Sequence, residues 1–189
     1  MFIQTEQTPN PATLKFLPGR TVYEDGGLEF ADADAARAAS PLAEALFRVD
    51  GVRRVYFGPE FVTVTKTEDV DWVHAKPAIL GAIMDHFMSG KPTVTVASAG
   101  VADEVAYEGE AADIVEQIKE LLDTRIRPAV AQDGGDIVFH SFDMDAGLVK
   151  LHMRGSCAGC PSSTMTLKAG IENMLRHYVP EVNRVEAVM

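Results

Sequence analysis

Cysteine is almost missing from this chain: there are two among 189 residues. Two thiols three positions apart cannot form the disulfide framework of a small secreted domain, so the sequence predicts a reducing interior. Basic residues are also scarce, 17 Lys and Arg against 28 Asp and Glu, for a formal net charge of -11. A chain of that sign lacks the basic face that displaces counterions from nucleic acid or docks on anionic lipid, so proteins are the expected partners. No apolar run approaches the roughly 20 residues of a membrane span. The opening Met1-Phe2-Ile3-Gln4-Thr5 has neither the charged nor the apolar region of a signal peptide, and the expected location is therefore the cytoplasm. No glycine-rich phosphate loop and no Ser-His-Asp signature occurs. The five histidines, His74, His86, His140, His152 and His177, show no paired ligand spacing, and each reads as a surface or packed side chain.

What is present centres on Arg154-Gly155-Ser156-Cys157-Ala158-Gly159-Cys160-Pro161-Ser162-Ser163-Thr164. Val149, Leu151 and Met153 alternate with Lys150, His152 and Arg154, the pattern of a strand with one buried face. By the same alternation His152 points away from Leu151 and Met153. Thr164, Leu167, Ile171, Met174, Leu175 and Tyr178 then recur at helical spacing, so the cysteines fall in a strand-to-helix turn. Pro161 suits the first helical turn, and Ser162 and Ser163 suit its free N–H groups. The dipole of that helix is expected to favour anionic sulfur and lower the thiol pKa values. Gly155 and Gly159 leave the backbone bare on either side. Taken alone, C-x-x-C at this position is a redox dithiol, half of a zinc site, or half of an iron-sulfur ligand set.

The length suits one medium domain or two small ones. Phe2 to Gln7 and Thr13 to Leu17 read as a hairpin around Thr8-Pro9-Asn10-Pro11. Ser40-Pro41 opens a short helix carrying Leu42, Leu46 and Val49. Val52 to Phe57 and Phe61 to Val64 make a second hairpin about Gly58-Pro59-Glu60. A helix from Pro77 to Met88 turns Leu80, Ile83, Met84 and Phe87 inward, with Trp72 packed at its entrance. Residues 91–109 are small, polar and acidic and read as a linker. Beyond it, Ile114, Ile118, Leu121, Leu122 and Ile126 form a helical stripe, and Arg127-Pro128 marks a kink or end. Gln132-Asp133-Gly134-Gly135-Asp136 hands over to a strand, Ile137 to Phe142. Its glycines supply a helix stop and a positive-φ turn, and Asp133 and Asp136 read as caps or surface charges. Val182, Val185 and Val188 give a last strand. The expectation is an α/β (α+β) protein: residues 1–90 with two hairpins and two helices, a linker over 91–109, and an α-β-β-α-β domain over 110–189.

The cysteine motif, preceded by Gln132-Asp133-Gly134-Gly135-Asp136, resembles the C-terminal domain of NifU, the Nfu domain. The stretch from Thr5 to Phe16, with its Pro9-Asn10-Pro11, resembles the N-terminal domain that accompanies it in Nfu proteins. Together the two matches leave only the linker uncovered. The resemblance implies a carrier rather than an enzyme: a scaffold that holds a 4Fe-4S cluster, with Cys157 and Cys160 as its ligands. Its partners would be upstream cluster-assembly proteins and apo iron-sulfur clients. The additional cysteines of full-length nitrogen-fixation NifU are missing, which shifts the expectation from assembly towards late carriage. Such a cluster normally takes four thiolates, so two chains would each supply both cysteines, in a homodimer with an exposed and easily opened site. Arg154 and Lys168 would offset the anionic cluster or meet an acidic client, or stand as ordinary solvated charges.

The main rival is a dithiol oxidoreductase with Cys157 attacking and Cys160 resolving. Only 29 residues follow Cys160, too few for a thioredoxin-like fold, and no aromatic residue flanks the pair. A zinc ion shared by a dimer is the third reading.

Overall fold

The computed structural model describes residues 1–25, 27–95, 106–159 and 161–188, with backbone alone for 161–164. The chain divides into two units, Met1–Gly100 and Val101–Met189. Each is mixed α/β.

In the first unit β1 (Gln4–Gln7) and β2 (Thr13–Leu17) pair antiparallel around the Pro-Asn-Pro bend, and β4 (Val52–Phe57) pairs with β5 (Val62–Lys66). The two hairpins join through β2 and β5, and a three-residue strand, β3 (Leu28–Phe30), adds to β4, giving the order β1-β2-β5-β4-β3. Neither β3 nor the helix α1 (Ala33–Ala39) is among the elements expected from sequence. Helix α1 starts where Asp32 accepts from Ala35 N, and α2 (Pro41–Phe47) starts where Ser40 accepts from Ala43 N. Buried Ser40 also donates to the Thr93 carbonyl, and Thr95 N donates to Ala39 O. So the chain just past the third helix is tied back to this unit.

That helix, α3, runs from Trp72 to Ser89, five residues ahead of the start expected at Pro77. Proline costs one N–H bond here, the one that would reach Val73. Trp72 fixes the earlier start: its indole Nε1 donates to Pro11 O at 3.0 Å, and its body packs on the core. The buried stripe of α3 is Ala75, Ile79, Ile83 and His86, so of the residues expected inward only Ile83 is fully buried, with Leu80 and Phe87 half-buried and Met84 exposed. These residues close over Phe16, Phe30, Leu42, Leu46, Val55, Phe57 and Val64.

The second unit follows the expected α-β-β-α-β order. Helix α4 (Glu110–Leu121) passes into a π-helical turn, Leu122–Ile126, and on into α5 (Arg127–Gln132). Pro128 therefore does not end the helix. Its ring would press on the carbonyl four residues back, and the widened turn, in which Arg127 N reaches Leu122 O, relieves that contact while the apolar stripe continues through Leu122, Ile126 and Val130. Strands β6 (Gly135–Asp143) and β7 (Leu148–Gly155) are antiparallel, and β8 (Arg184–Val188) lies parallel to β7. A parallel neighbour demands a long crossover, which α6 (Pro161–Tyr178) provides. Ile137, Val149, Leu151 and Val185 from the sheet meet Ile114, Ile118, Leu122, Ile171 and Leu175 from the helices. The core thus lies on one face of the sheet. Tyr107 joins this unit, its hydroxyl accepting from Phe142 N at 2.7 Å. Residues 96–105 of the expected linker lie outside the described residues.

No helix among the described residues is long and apolar enough to cross a membrane.

Candidate functional site

Two glycines face each other where β6 begins and β7 ends: Gly135 pairs with Gly155, and Asp136 with Arg154. One residue further on, the chain turns. Ser156 N donates to Gly134 O, Cys157 N to Arg154 O and Ala158 N to Gly155 O, folding residues 154–158 into a tight turn ahead of α6. Gly155 and Gly159 bracket that turn with φ of 61° and 77°, a region L side chains rarely enter.

Cys157 lies inside this turn, 6% exposed, between Ser156 and Gly135. A β-carbon on Gly135 would collide with the Cys157 Sγ and crowd the Ser156 hydroxyl. The two adjacent glycines therefore do different things. Gly134, at φ 79°, makes the turn expected of it, whereas Gly135 clears the seat that the thiol occupies. The second role left no mark in the sequence beyond a glycine where the turn needs only one.

The electrostatics of Cys157 run against the expectation from the helix dipole. Burial pushes its pKa up to about 11; the Ser156 hydroxyl pulls the other way, and Asp133 and Asp136 add to the rise. The sulfur lies in the turn before α6, enclosed by protein, and desolvation of a thiolate there outweighs any field at the helix end. The expected surface thiol is thus a buried one in this conformation. Cys160 lies outside the described residues, as do the side chains of Ser162 and Ser163; Pro161 is the first residue of α6, where the sequence puts it.

Asp136, read from the sequence as a cap or surface charge, is neither. It is 4% exposed and held by Arg127, whose Nε donates to one carboxylate oxygen at 2.8 Å and whose Nη2 donates to the other at 3.1 Å. Arg127 Nη1 also donates to Asp123 at 2.9 Å. Those carboxylates, Asp136 above all, hold the guanidinium protonated well above its ordinary range. The π turn sets the position of Arg127 on the helix, so the helix and the base of β6 are clamped together beside the cysteine turn. Sequence reasoning passed over Arg127; an Arg-Pro inside a helical stripe, nine residues ahead of an Asp that follows two glycines, was the available signal. Arg154 and Lys168 are both half-buried, on β7 and α6.

His152 lies on the sheet face opposite Leu151 and Met153, as the alternation requires, and its ring meets that of His140. Its pKa is lowered by burial, then by His140 and Arg154. Among the described residues no group of three or more His, Cys, Asp or Glu side chains is placed to hold a metal ion.

Comparison with known proteins places both units. Residues 3–90 match the family described as scaffold protein Nfu/NifU N terminal, and residues 118–186 match the NifU-like domain. NifU-like protein 4, mitochondrial, of Arabidopsis thaliana is 53% identical over 186 residues, which cover 98% of this chain and 65% of that protein. The NFU1 iron-sulfur cluster scaffold homolog, mitochondrial, of Homo sapiens is 52% identical over 195 residues, covering 100% of this chain and 72% of that one. The chain thus spans about two thirds of the length of these relatives. A solved NifU-like protein from Saccharomyces cerevisiae superposes with a TM-score of 0.46 at 26% identity, covering 50% of this chain and 85% of that one. The mitochondrial relatives overturn the cytoplasmic location expected above and point to a mitochondrial one. Cysteine usage separates reducing from oxidising compartments, but it does not tell one reducing compartment from another.

Proposed function

The chain belongs to the Nfu/NifU family of scaffold proteins, and on that premise we propose that it carries a 4Fe-4S cluster held between two copies and hands it to apo iron-sulfur proteins. Cys157 and Cys160 of each copy are the ligands in this reading. The observation that carries it is a count: the chain has two cysteines, three positions apart in sequence and just ahead of Pro161, and such a cluster takes four thiolates. Two copies meeting at these turns supply the set without any other residue.

The turn has the parts this task needs. Gly155 and Gly159, both at positive φ, flank Cys157, and in this reading the backbone freedom of glycine there lets the thiol leave its seat beside Gly135 to face a second copy. The free N–H groups at the start of α6 then lie towards the anionic cargo. Release reverses the motion. Thiolates of a client replace one pair of cysteines at a time, and Cys157 returns to a site where its protonated form is favoured. Holding and passing on a cargo requires no turnover, which fits a carrier rather than an enzyme. In this scheme residues 110–189 carry the cargo, and residues 1–90 serve recognition of clients or donors, or simply stability.

Anaerobic reconstitution with iron and sulfide tests the proposal. The expected result is four irons and four sulfides per dimer, a dimer that dissociates on chelation, and loss of the cluster in Cys157→Ser and in Cys160→Ser. A normal cluster in either variant overturns the ligand assignment. A colourless monomer whose two thiols cycle with a disulfide moves the protein to the oxidoreductase class.

A further inference from the structure

The open face of the second unit's sheet carries a pair of imidazoles that the cysteine turn does not use. β6 and β7 run in register from Gly135 opposite Gly155 to Phe139 opposite Leu151, and then slip, so that Ser141 and not His140 stands opposite Lys150. His140 is the extra residue of this bulge. Bulges break the strict alternation of a strand and re-aim a side chain. Here the ring of His140 is brought to 4.8 Å from that of His152, centroid to centroid, at an interplanar angle of 74°.

Each ring is anchored by one nitrogen. His140 Nδ1 lies 2.9 Å from the Ser141 hydroxyl, and His152 is hydrogen-bonded to the backbone of Val188 on β8. An imidazole has two ring nitrogens, so each ring can keep this neighbour on one of them and offer the other to a ligand. Metal-binding histidines are held in this way, one ring nitrogen on the ion and the other on a carbonyl or hydroxyl. Both residues are half-buried, so the rings are shielded and still reachable.

We propose that His140 and His152 together bind one divalent first-row transition ion, as a two-imidazole site completed by water. Imidazole nitrogen is a borderline donor and favours copper, nickel and zinc over magnesium or calcium. Lys150 and Arg154 flank His152 on the same face and weaken the attraction for a cation, so the site is exchangeable rather than structural. Gly155 is three strand positions beyond His152, about 10 Å of chain, so the ion is not shared with the cysteine turn. The site is independent of the carrier function proposed above.

The test uses the full chain with Cys157→Ser and Cys160→Ser, which removes the thiols, and nickel(II) as the probe in calorimetry. One nickel per chain is expected, with affinity falling at least tenfold in His140→Ala and again in His152→Ala, while His177→Ala leaves it unchanged. In the same protein with both histidines present, zinc(II) should shift the side-chain nitrogen resonances of His140 and His152 together. Binding that is absent, or that neither alanine variant alters, overturns the site. So does an effect of equal size from His177→Ala, since that would mark scattered single-histidine binding.

Discussion

The Cys157 thiol occupies the space that a side chain on residue 135 would need. The contact links the end of β7 to the start of β6 and makes Gly135 a steric partner of the sulfur. Gly135→Ala should therefore expel the thiol while leaving the helices and sheet in place. In a Cys160→Ser background, so that only one thiol reacts, alkylation of native Cys157 should be at least tenfold slower than in the denatured chain. Gly135→Ala should remove most of that protection. Equal rates for the native parent and the denatured chain would show that the thiol is not enclosed.

Arg127 and Asp136 make the second clamp at this corner, and a two-pronged geometry distinguishes it from simple charge attraction. Arg127→Lys keeps the charge but loses one of the two parallel bonds. Asp136→Ala leaves the guanidinium with Asp123 alone. Because the Arg127 side chain is 36% exposed, the loss is discounted from that of a fully buried pair. A cost on the order of 2 kcal/mol is expected for Asp136→Ala and about half that for Arg127→Lys, read from denaturant unfolding of the second unit. An unchanged midpoint in both variants would demote the clamp to a surface contact.

These contacts mark where sequence stops being informative. The alternation of Val149, Leu151 and Met153 and the stripe Ile114, Ile118, Leu122, Ile126 report burial directly, because each apolar residue faces the core on its own element. The two hairpins around Pro9-Asn10-Pro11 and Gly58-Pro59-Glu60 were legible for the same reason, with turn chemistry between apolar runs. By contrast β3 is three residues long and exists because Phe30 and Leu28 pair with β4, and α1 is an alanine-rich segment with little apolar periodicity to find. The start of α3 was set by a hydrogen bond from Trp72 to Pro11, 61 positions away. At the site, the motif located Cys157, while its burial, the seat at Gly135 and the Arg127 clamp all arise from elements that meet only in the folded chain.

Alkaline pH should bear on the second unit through Cys157. Its pKa rises from an ordinary 9.0 to about 11 on folding. A group with a raised folded-state pKa contributes stability that is complete below the unfolded value and is lost as pH climbs through the folded one. The loss should therefore fall between about pH 9 and pH 11 and amount to no more than about 2–3 kcal/mol, at 1.4 kcal/mol per unit. Lysine and tyrosine titrate in the same window, so the comparison is with Cys157→Ala. The difference in unfolding free energy between parent and variant should change by this amount across the window. A constant difference would mean that the sulfur is solvated.

The first unit carries a pH dependence of the opposite sense. His86 on α3 is 6% exposed, and its Nε2 finds no hydrogen-bond partner among the described residues. Burial, with Lys91 adding to it, lowers its pKa from 6.5, so the folded unit holds it neutral. Phe87 packs edge-on against its ring at 5.3 Å. Protonation is thus favoured in the unfolded chain, and the stability tied to neutral His86 is present above pH 6.5 and lost as pH falls through the lower folded value. His86→Leu removes both the titration and the unpartnered nitrogen, and an apolar side chain of similar size at such a position is neutral or stabilising. Between pH 7 and pH 5 the parent's first unit should lose melting temperature relative to the variant, while the second unit melts alike in both. A gap between parent and variant that stays constant over this range would show that His86 stays accessible to protons in the folded unit.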